Sequence, residues 1–261
     1  MRYPFSTCPA RYTLGALLLG VTLVAGCRST PPESPEQRRH HQYVDAVSQV
    51  LNQQVRRVNL DGWAGGLTLH ALINRRNELV GCSTEALAQY PVQNYPDNRL
   101  LASVVQRICW DTVFPRAAPE LFSGASQEPL DVRVALVFSR PGRLPPEAQK
   151  VRETVREYNA REAFIWRRLF AEERLESIGQ ARVQGTANAQ GQVQGCQVQL
   201  TAIPERAADF RPDPELVQRL QSRCAQLDAR QLPGFFASET VGDSFLVELQ
   251  YTPWKGRAEQ P

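Results

Sequence analysis

Hydrophobic positions along the chain follow two periods, and both periods recur in the two halves of the sequence. Apolar side chains spaced three or four residues apart predict an amphipathic helix, and strict alternation predicts a strand with one buried face. In the first half, helical spacing covers residues 43–58 and 101–108. Alternation covers residues 67–73 and 130–138, with a shorter strand at 79–82. The predicted order is helix, hairpin, helix, strand.

The second half repeats this order. Helical spacing runs through residues 151–170 and 216–227, a hairpin is predicted within 181–200, and residues 245–251 alternate as a last strand. Asp97 stands at the predicted start of the later helix of the first half, where a carboxylate can accept hydrogen bonds from free backbone N–H groups. We therefore expect Asp97 to cap this helix, and we expect Pro212-Asp213-Pro214 to open the equivalent helix of the second half with proline at its first position.

Landmark residues of the two halves keep nearly one register. Four pairs lie 114 positions apart: Gly65 and Gly179, Asn74 and Asn188, Gly81 and Gly195, Cys82 and Cys196. Cys109 and Cys224 lie 115 apart, and Pro96 and Pro212 lie 116 apart. This spacing predicts a duplication. The expected fold class is α+β, with two tandem small domains at residues 39–142 and 143–255, each a three-stranded antiparallel sheet with flanking helices.

The N-terminal residues have the layout of an export signal. Arg2 and Arg11 accompany an apolar run at residues 14–24, whose 11 residues are too few to cross a bilayer core. The sequence Val24-Ala25-Gly26-Cys27 resembles the lipobox of bacterial lipoproteins. The resemblance implies removal of residues 1–26, lipid on Cys27 and, with arginine rather than aspartate at position 28, a place on the periplasmic side of the outer membrane. Residues 27–38 would then be the lipidated cysteine and a polar, proline-rich tether.

The cysteines fit this exported setting. Cys8 would leave with the signal and Cys27 would carry lipid, which leaves Cys82, Cys109, Cys196 and Cys224. An even number in an oxidising compartment predicts disulfides. A zinc site is the competing interpretation, although the Cys-x₂-Cys spacing of such sites does not occur. Because each repeat holds one pair, the duplication selects the pairings 82–109 and 196–224.

The net charge and the sequence motifs argue against some classes of function. Without Arg2 and Arg11 the formal net charge falls from +3 to +1, which gives no electrostatic argument for nucleic acid. No nucleophile, base and orienting group can be assigned together, so we expect neither an enzyme nor a resident cofactor or metal. The three histidines are expected to be solvated, His40 and His41 beside the tether and His70 on the outer face of a strand.

Each repeat is similar to the C-terminal domain of TolA and, more loosely, of TonB. Residues 67–82, 100–109 and 130–138 with Pro115 match the family's order, and residues 181–200, 216–224 and 245–251 with Pro233 match it again. The family's transmembrane helix and long periplasmic segment are replaced here by the expected lipid anchor and short tether. The resemblance therefore implies protein binding in the cell envelope, without force transduction.

The expected mechanism of binding is pairing of a partner's extended segment with a free strand edge. The candidate binding residues are Trp63, Leu130, Val132, Val134, Phe245, Val247 and Leu249. An alternative is that the two repeats pair their edges with each other and leave a closed structural block. Two further alternatives are an inhibitor of an envelope enzyme, acting through a loop at residues 83–98 or 117–128, and a structural part of a secretion or conjugation assembly.

Overall fold

The computed structural model describes residues 33–122, 128–140, 142, 144–236 and 243–255. The predicted signal, the lipidated Cys27 and most of the tether lie outside the described residues. The main helices are α1 (Pro35–Val58), α2 (Asn98–Asp111), α3 (Pro146–Ile165) and α4 (Pro214–Ala225). The strands are β1 (Gly65–Ile73), β2 (Leu79–Ala86), β3 (Leu130–Phe138), β4 (Gly179–Ala187), β5 (Val193–Thr201) and β6 (Asp243–Tyr251).

Two separate three-stranded antiparallel sheets confirm the predicted fold class. Their strand orders are β2-β1-β3 and β5-β4-β6, so the first strand of each hairpin is central and the last strand of each repeat pairs beside it. The pairings Gly65↔Phe138 and Gly179↔Tyr251 begin equivalent nine-residue ladders. We refer to residues 35–138 as the first repeat and residues 146–255 as the second repeat.

The first helix begins within the stretch predicted to be tether. Ser34 accepts a hydrogen bond from the Gln37 N–H, and the Gln37 side chain accepts one from the Ser34 N–H, which is a capping box. Pro35 occupies the first turn, where its missing N–H costs nothing. The prediction that residues 35–38 belong to the tether is therefore wrong, because these caps start the helix four residues before position 39.

The aspartates at the starts of α2 and α4 behave differently. The Asp213 side chain accepts a hydrogen bond from the Leu216 N–H and caps α4, which Pro214 opens as predicted. Asp97, predicted to cap α2, has helical backbone angles and makes no cap bond, so this prediction is wrong. Its carboxylate instead accepts from the Ala64 N–H at 3.1 Å and from Arg140 at 3.3 Å, and these bonds hold the pKa of Asp97 below its ordinary value.

The helix that opens the second repeat is only partly buried. α3 and the π-helical turn after it, Trp166–Phe170, cover the predicted segment. Val151, predicted on its apolar face, is 63% exposed, and full burial begins only at Phe164. Beyond this helix the Glu173 carboxylate is 6% exposed and pairs with Arg219 and Arg223 of α4.

Each sheet covers its own hydrophobic core, closed by one disulfide. Cys82 on β2 is joined to Cys109 on α2, and Cys196 on β5 is joined to Cys224 on α4, which confirms the predicted pairing. The buried side chains of β1 and β3 alternate as predicted, as do those of β4 and β6. In the described part of the chain, every helix is too short or too polar to cross a membrane.

The two repeats pack on each other through residues of the second repeat that enter the first core. Ile178, Ile203 and Trp254 are buried in the same cluster as the α1, β1 and α2 side chains. The main polar contact is Arg206, in the 3₁₀ segment Pro204–Asp209, whose side chain is 1% exposed. The two repeats accordingly form one compact unit.

The Arg206 guanidinium satisfies groups of both repeats. It donates to the main-chain oxygens of Phe114 at 2.8 Å and Asn77 at 2.9 Å in the first repeat. It also donates to the Asp209 carboxylate at 2.6 Å and lies 6.0 Å from the centre of the Trp254 ring. Because a buried cation is tolerated only when its donors are paired, this geometry fixes how the repeats meet.

We predict that Arg206→Ala lowers the free energy of unfolding by about 3–5 kcal/mol, since it leaves two buried carbonyl groups without their donor and removes one of the two cations paired with Asp209, the other being Arg116. Urea denaturation followed by tryptophan fluorescence measures this. The matched control is Arg211→Ala, because Arg211 is exposed and its side chain has no partner among the described residues. A loss for Arg206→Ala no larger than that of the control would contradict the assigned role.

Candidate functional site

The two sheets present four edge strands, and they are not equivalent. The pairing of β2 with β1 shifts register between Leu72 and Ile73, and that of β5 with β4 shifts between Gln184 and Thr186. Irregularities of this kind twist an edge and hinder addition of another strand. β3 and β6 pair with their central strands over nine residues without a shift, so these two edges have the regular geometry that an added strand requires.

The hydrogen bonds of the central strand β1 determine which backbone N–H and C=O groups of β3 point outward. The Gly66 carbonyl of β1 accepts a hydrogen bond from the Leu87 N–H on the β2 side. Since N–H and C=O groups of successive residues point to opposite sides of a strand, the odd-numbered residues of β1 face β3. Their partners in β3 are the even-numbered residues. The outward backbone groups of β3 therefore belong to Asp131, Arg133, Ala135 and Val137.

Two outward carbonyl groups at the equivalent edge of β6 are occupied by side chains. The Tyr158 hydroxyl of α3 donates to the Glu248 carbonyl at 2.9 Å, and Lys255 Nζ donates to the Gln250 carbonyl at 2.9 Å. Burial raises the pKa of Tyr158, so its hydroxyl remains a donor. No such bond reaches the outward groups of β3 within the described ranges. Of the two regular edges, β3 is thus the one whose outward groups have no side-chain partner among the described residues.

The strand residues named from the sequence lie on the inner face. Val132, Val134, Phe245, Val247 and Leu249 are buried in the two cores, and Leu130 is half-buried beside the first. In these alternating strands the apolar side chains face inward, so they pack in the cores and do not face a partner. β3 and β6 are edge strands as predicted. The outward backbone groups of β3, however, belong to the residues that alternate with those named from the sequence.

Trp63, a candidate binding residue from the sequence, is only partly exposed. Its side chain is half-buried against the first core, and its main-chain N–H donates to Asn59 Oδ1 at 3.0 Å. Trp63 therefore contributes to packing of the first repeat.

Charge is unevenly distributed along the β3 edge. Asp131 and Arg133 form an ion pair at 2.8 Å, and His70 of β1 lies between Glu85 at 3.3 Å and Asp131 at 3.6 Å. His70 is on the outer face as predicted, although its side chain is only 20% exposed. The other end of the edge carries the small Ala135 and Val137, which is 57% exposed. An approaching strand meets least obstruction at that end.

The two loops considered for inhibition are held to the domain. In the first, Asn98 donates to the Tyr90 carbonyl at 2.6 Å, and the Tyr90 and Tyr95 rings lie 4.9 Å apart. In the second, the buried Ala117 donates its N–H to Asn77 Oδ1, and residues 123–127 lie outside the described residues. These contacts tie the described parts of both loops to the first repeat.

Comparison of the chain with protein-family models, with curated proteins and with solved structures gave no match.

We predict that Tyr158→Phe lowers the free energy of unfolding by about 0.5–1.5 kcal/mol, because it removes the hydrogen bond to the Glu248 carbonyl and keeps the ring beside Arg57. Urea denaturation measures the change. Tyr95→Phe is the control, since the Tyr95 hydroxyl has no partner among the described residues. Equal stability of the two variants would show that the β6 edge is not held in this way.

Proposed function

We propose that this chain is a lipid-anchored interaction protein of the bacterial envelope, and that its β3 edge binds an extended segment of a partner protein. The single observation that carries the proposal is that β3 is a regular edge whose outward backbone groups have no side-chain partner in the described part of the chain, whereas two carbonyl groups on the same edge of the second repeat are occupied. Main-chain hydrogen bonds would supply affinity, and the side chains beside the edge would supply selectivity.

Features of the sequence support the envelope setting. The lipobox-like sequence ending at Cys27 and the even number of remaining cysteines favour export to an oxidising compartment. The observed disulfides agree with such a compartment. The resemblance of each repeat to TolA-like domains favours protein binding over catalysis. The partner is proposed to lie in the space between the two membranes, with the chain held at the outer membrane.

Pairing at β3 can be tested by placing a photoreactive benzoyl-phenylalanine at position 137 in intact cells. We expect a discrete adduct with another protein, and its loss when Ala135→Pro is added. Proline removes the outward N–H of residue 135, while the bonds of β3 to β1 come from the even-numbered residues. Melting curves of the proline variant check that the fold is kept.

The matched controls use β6. The photoreactive residue at position 246 is exposed and equally outward, so it should give no adduct, and Leu246→Pro should leave the adduct from position 137 intact. An adduct from position 137 that survives Ala135→Pro would overturn strand pairing. An adduct of twice the mass of this chain would show self-association in place of a separate partner.

The membrane anchor is tested by metabolic labelling with palmitate. We expect the wild-type chain to incorporate label and Cys27→Ala to incorporate none, because the acyl groups would be carried by that residue. Cys8→Ala is the control, since position 8 would be removed with the signal and labelling should be unchanged. Label retained by Cys27→Ala would place any lipid elsewhere.

A further inference from the structure

A cleft of about 540 Å³ lies between the two repeats. The ends of α1 and α2 form its wall on the first repeat, and α3, the π-helical turn and the β6 edge form its wall on the second. Its size is within the range of small-ligand sites, ~300–1,000 Å³. The Arg206 contacts described above fix the two walls relative to each other. The cleft is separate from the β3 edge.

A buried lysine lines this cleft. The Lys255 side chain is 7% exposed, and its Nζ lies 4.5 Å from the centre of the Trp166 ring. An ammonium group has three donors. One donates to the Gln250 carbonyl at 2.9 Å, and the Glu162 carboxylate is 3.8 Å away, beyond hydrogen-bond distance. Burial lowers the pKa of Lys255, opposed by the charges of Asp111 and Glu162. Among the described residues, this desolvated cation has one hydrogen-bond acceptor for its three donors.

Two arginines add positive charge to the lining. Arg107 of α2 and Arg167 of the π-helical turn belong to opposite walls, and both are exposed. Neither guanidinium has a hydrogen-bond or ion-pair partner in the described part of the chain. Arg57, by contrast, is paired with Glu162 at 3.2 Å. The lining thus carries four cations (Arg57, Arg107, Arg167 and Lys255) and three carboxylates (Asp111, Glu162 and Glu248), and the two arginines without a described partner lie on opposite walls.

Neutral amides complete the lining. Gln54 of α1 and Gln180 of β4 contribute side chains to the cleft, and neither side-chain amide is hydrogen-bonded to a described residue. A primary amide both donates and accepts, which suits the N–H and C=O groups of a peptide. The guanidinium fork suits a carboxylate, with which it can form two parallel charge-assisted hydrogen bonds.

We propose that the cleft between the repeats binds a short acidic peptide, with its carboxylates held by Lys255, Arg107 and Arg167. The amides of Gln54 and Gln180 contact the peptide backbone. The bound carboxylates supply the acceptors that the lysine ammonium lacks. This site would give the chain a second ligand, independent of the partner at β3.

The sequence provides a direct probe, because Lys150 and Lys255 are its only lysines. Lysine labelled with ¹³C at Cε gives one signal for each, and Lys150 of α3 lies outside the cleft lining. On titrating the full-length chain with acetyl-Ala-Glu-Ala, we expect the Lys255 signal to shift saturably and the Lys150 signal to stay. The equally long acetyl-Ala-Gln-Ala-amide, which has no carboxylate, should shift neither.

Arginine variants test whether the shift of the Lys255 signal comes from binding in the cleft. Arg107→Gln together with Arg167→Gln should weaken binding of acetyl-Ala-Glu-Ala by at least about ten-fold, since two charge-assisted contacts are lost. Arg99→Gln is the control, because Arg99 is also exposed on α2 but does not line the cleft, and its affinity should match wild type.

The proposal fails if millimolar acetyl-Ala-Glu-Ala leaves the Lys255 signal unchanged, or if the carboxylate-free peptide shifts it equally. It also fails if inorganic phosphate produces the same shift at the same concentration, because the cleft would then recognise charge and not a peptide. Since none of these measurements involves β3, the result is distinguishable from the outcome of the photocrosslinking experiment.

Discussion

The buried guanidinium of Arg206 is the contact on which the arrangement of this molecule depends. Each repeat has its own sheet, core and disulfide, so nothing in a single repeat dictates where the other lies. Arg206 reaches from the second repeat to two carbonyl groups of the first, and Ile178, Ile203 and Trp254 add apolar burial around it. Because the buried Arg206 charge needs several acceptors at fixed positions, it allows few orientations of one repeat relative to the other. The cleft between the repeats has a defined shape for this reason.

The two repeats differ at their edges more than in their cores. Their central strands, ladders and disulfides correspond closely. Tyr158 and Lys255 occupy carbonyl groups at the edge of β6, and neither has a described counterpart at β3. Lys255 also lines the cleft, so the same side chain occupies a carbonyl group at the β6 edge and adds positive charge to the cleft. The two frameworks are similar, and a few polar side chains make them different.

The sequence predicted what depends on local periodicity. The alternation at residues 130–138 reproduced β3 with its bounds, because one buried face imposes a period of two. It could not show which backbone groups face outward, since that depends on the neighbouring strand. The start of α1 was missed although Ser34 and Gln37 have the spacing of a capping box. The burial of Arg206 had no local signal at all, because its acceptor in Asn77 lies 129 positions away.

The difference between the β3 and β6 edges also limits how many copies of the chain could associate by strand pairing. A chain open at both β3 and β6 could receive one neighbour and offer itself to the next, and such head-to-tail addition grows into a fibre. With two carbonyl groups of β6 occupied and the β2 and β5 edges irregular, further copies have no equally regular edge to join among the described residues. Two copies meeting at β3 would bury both open edges and stop there. The hydroxyl of Tyr158 and the ammonium of Lys255 thereby limit strand pairing between copies to pairs.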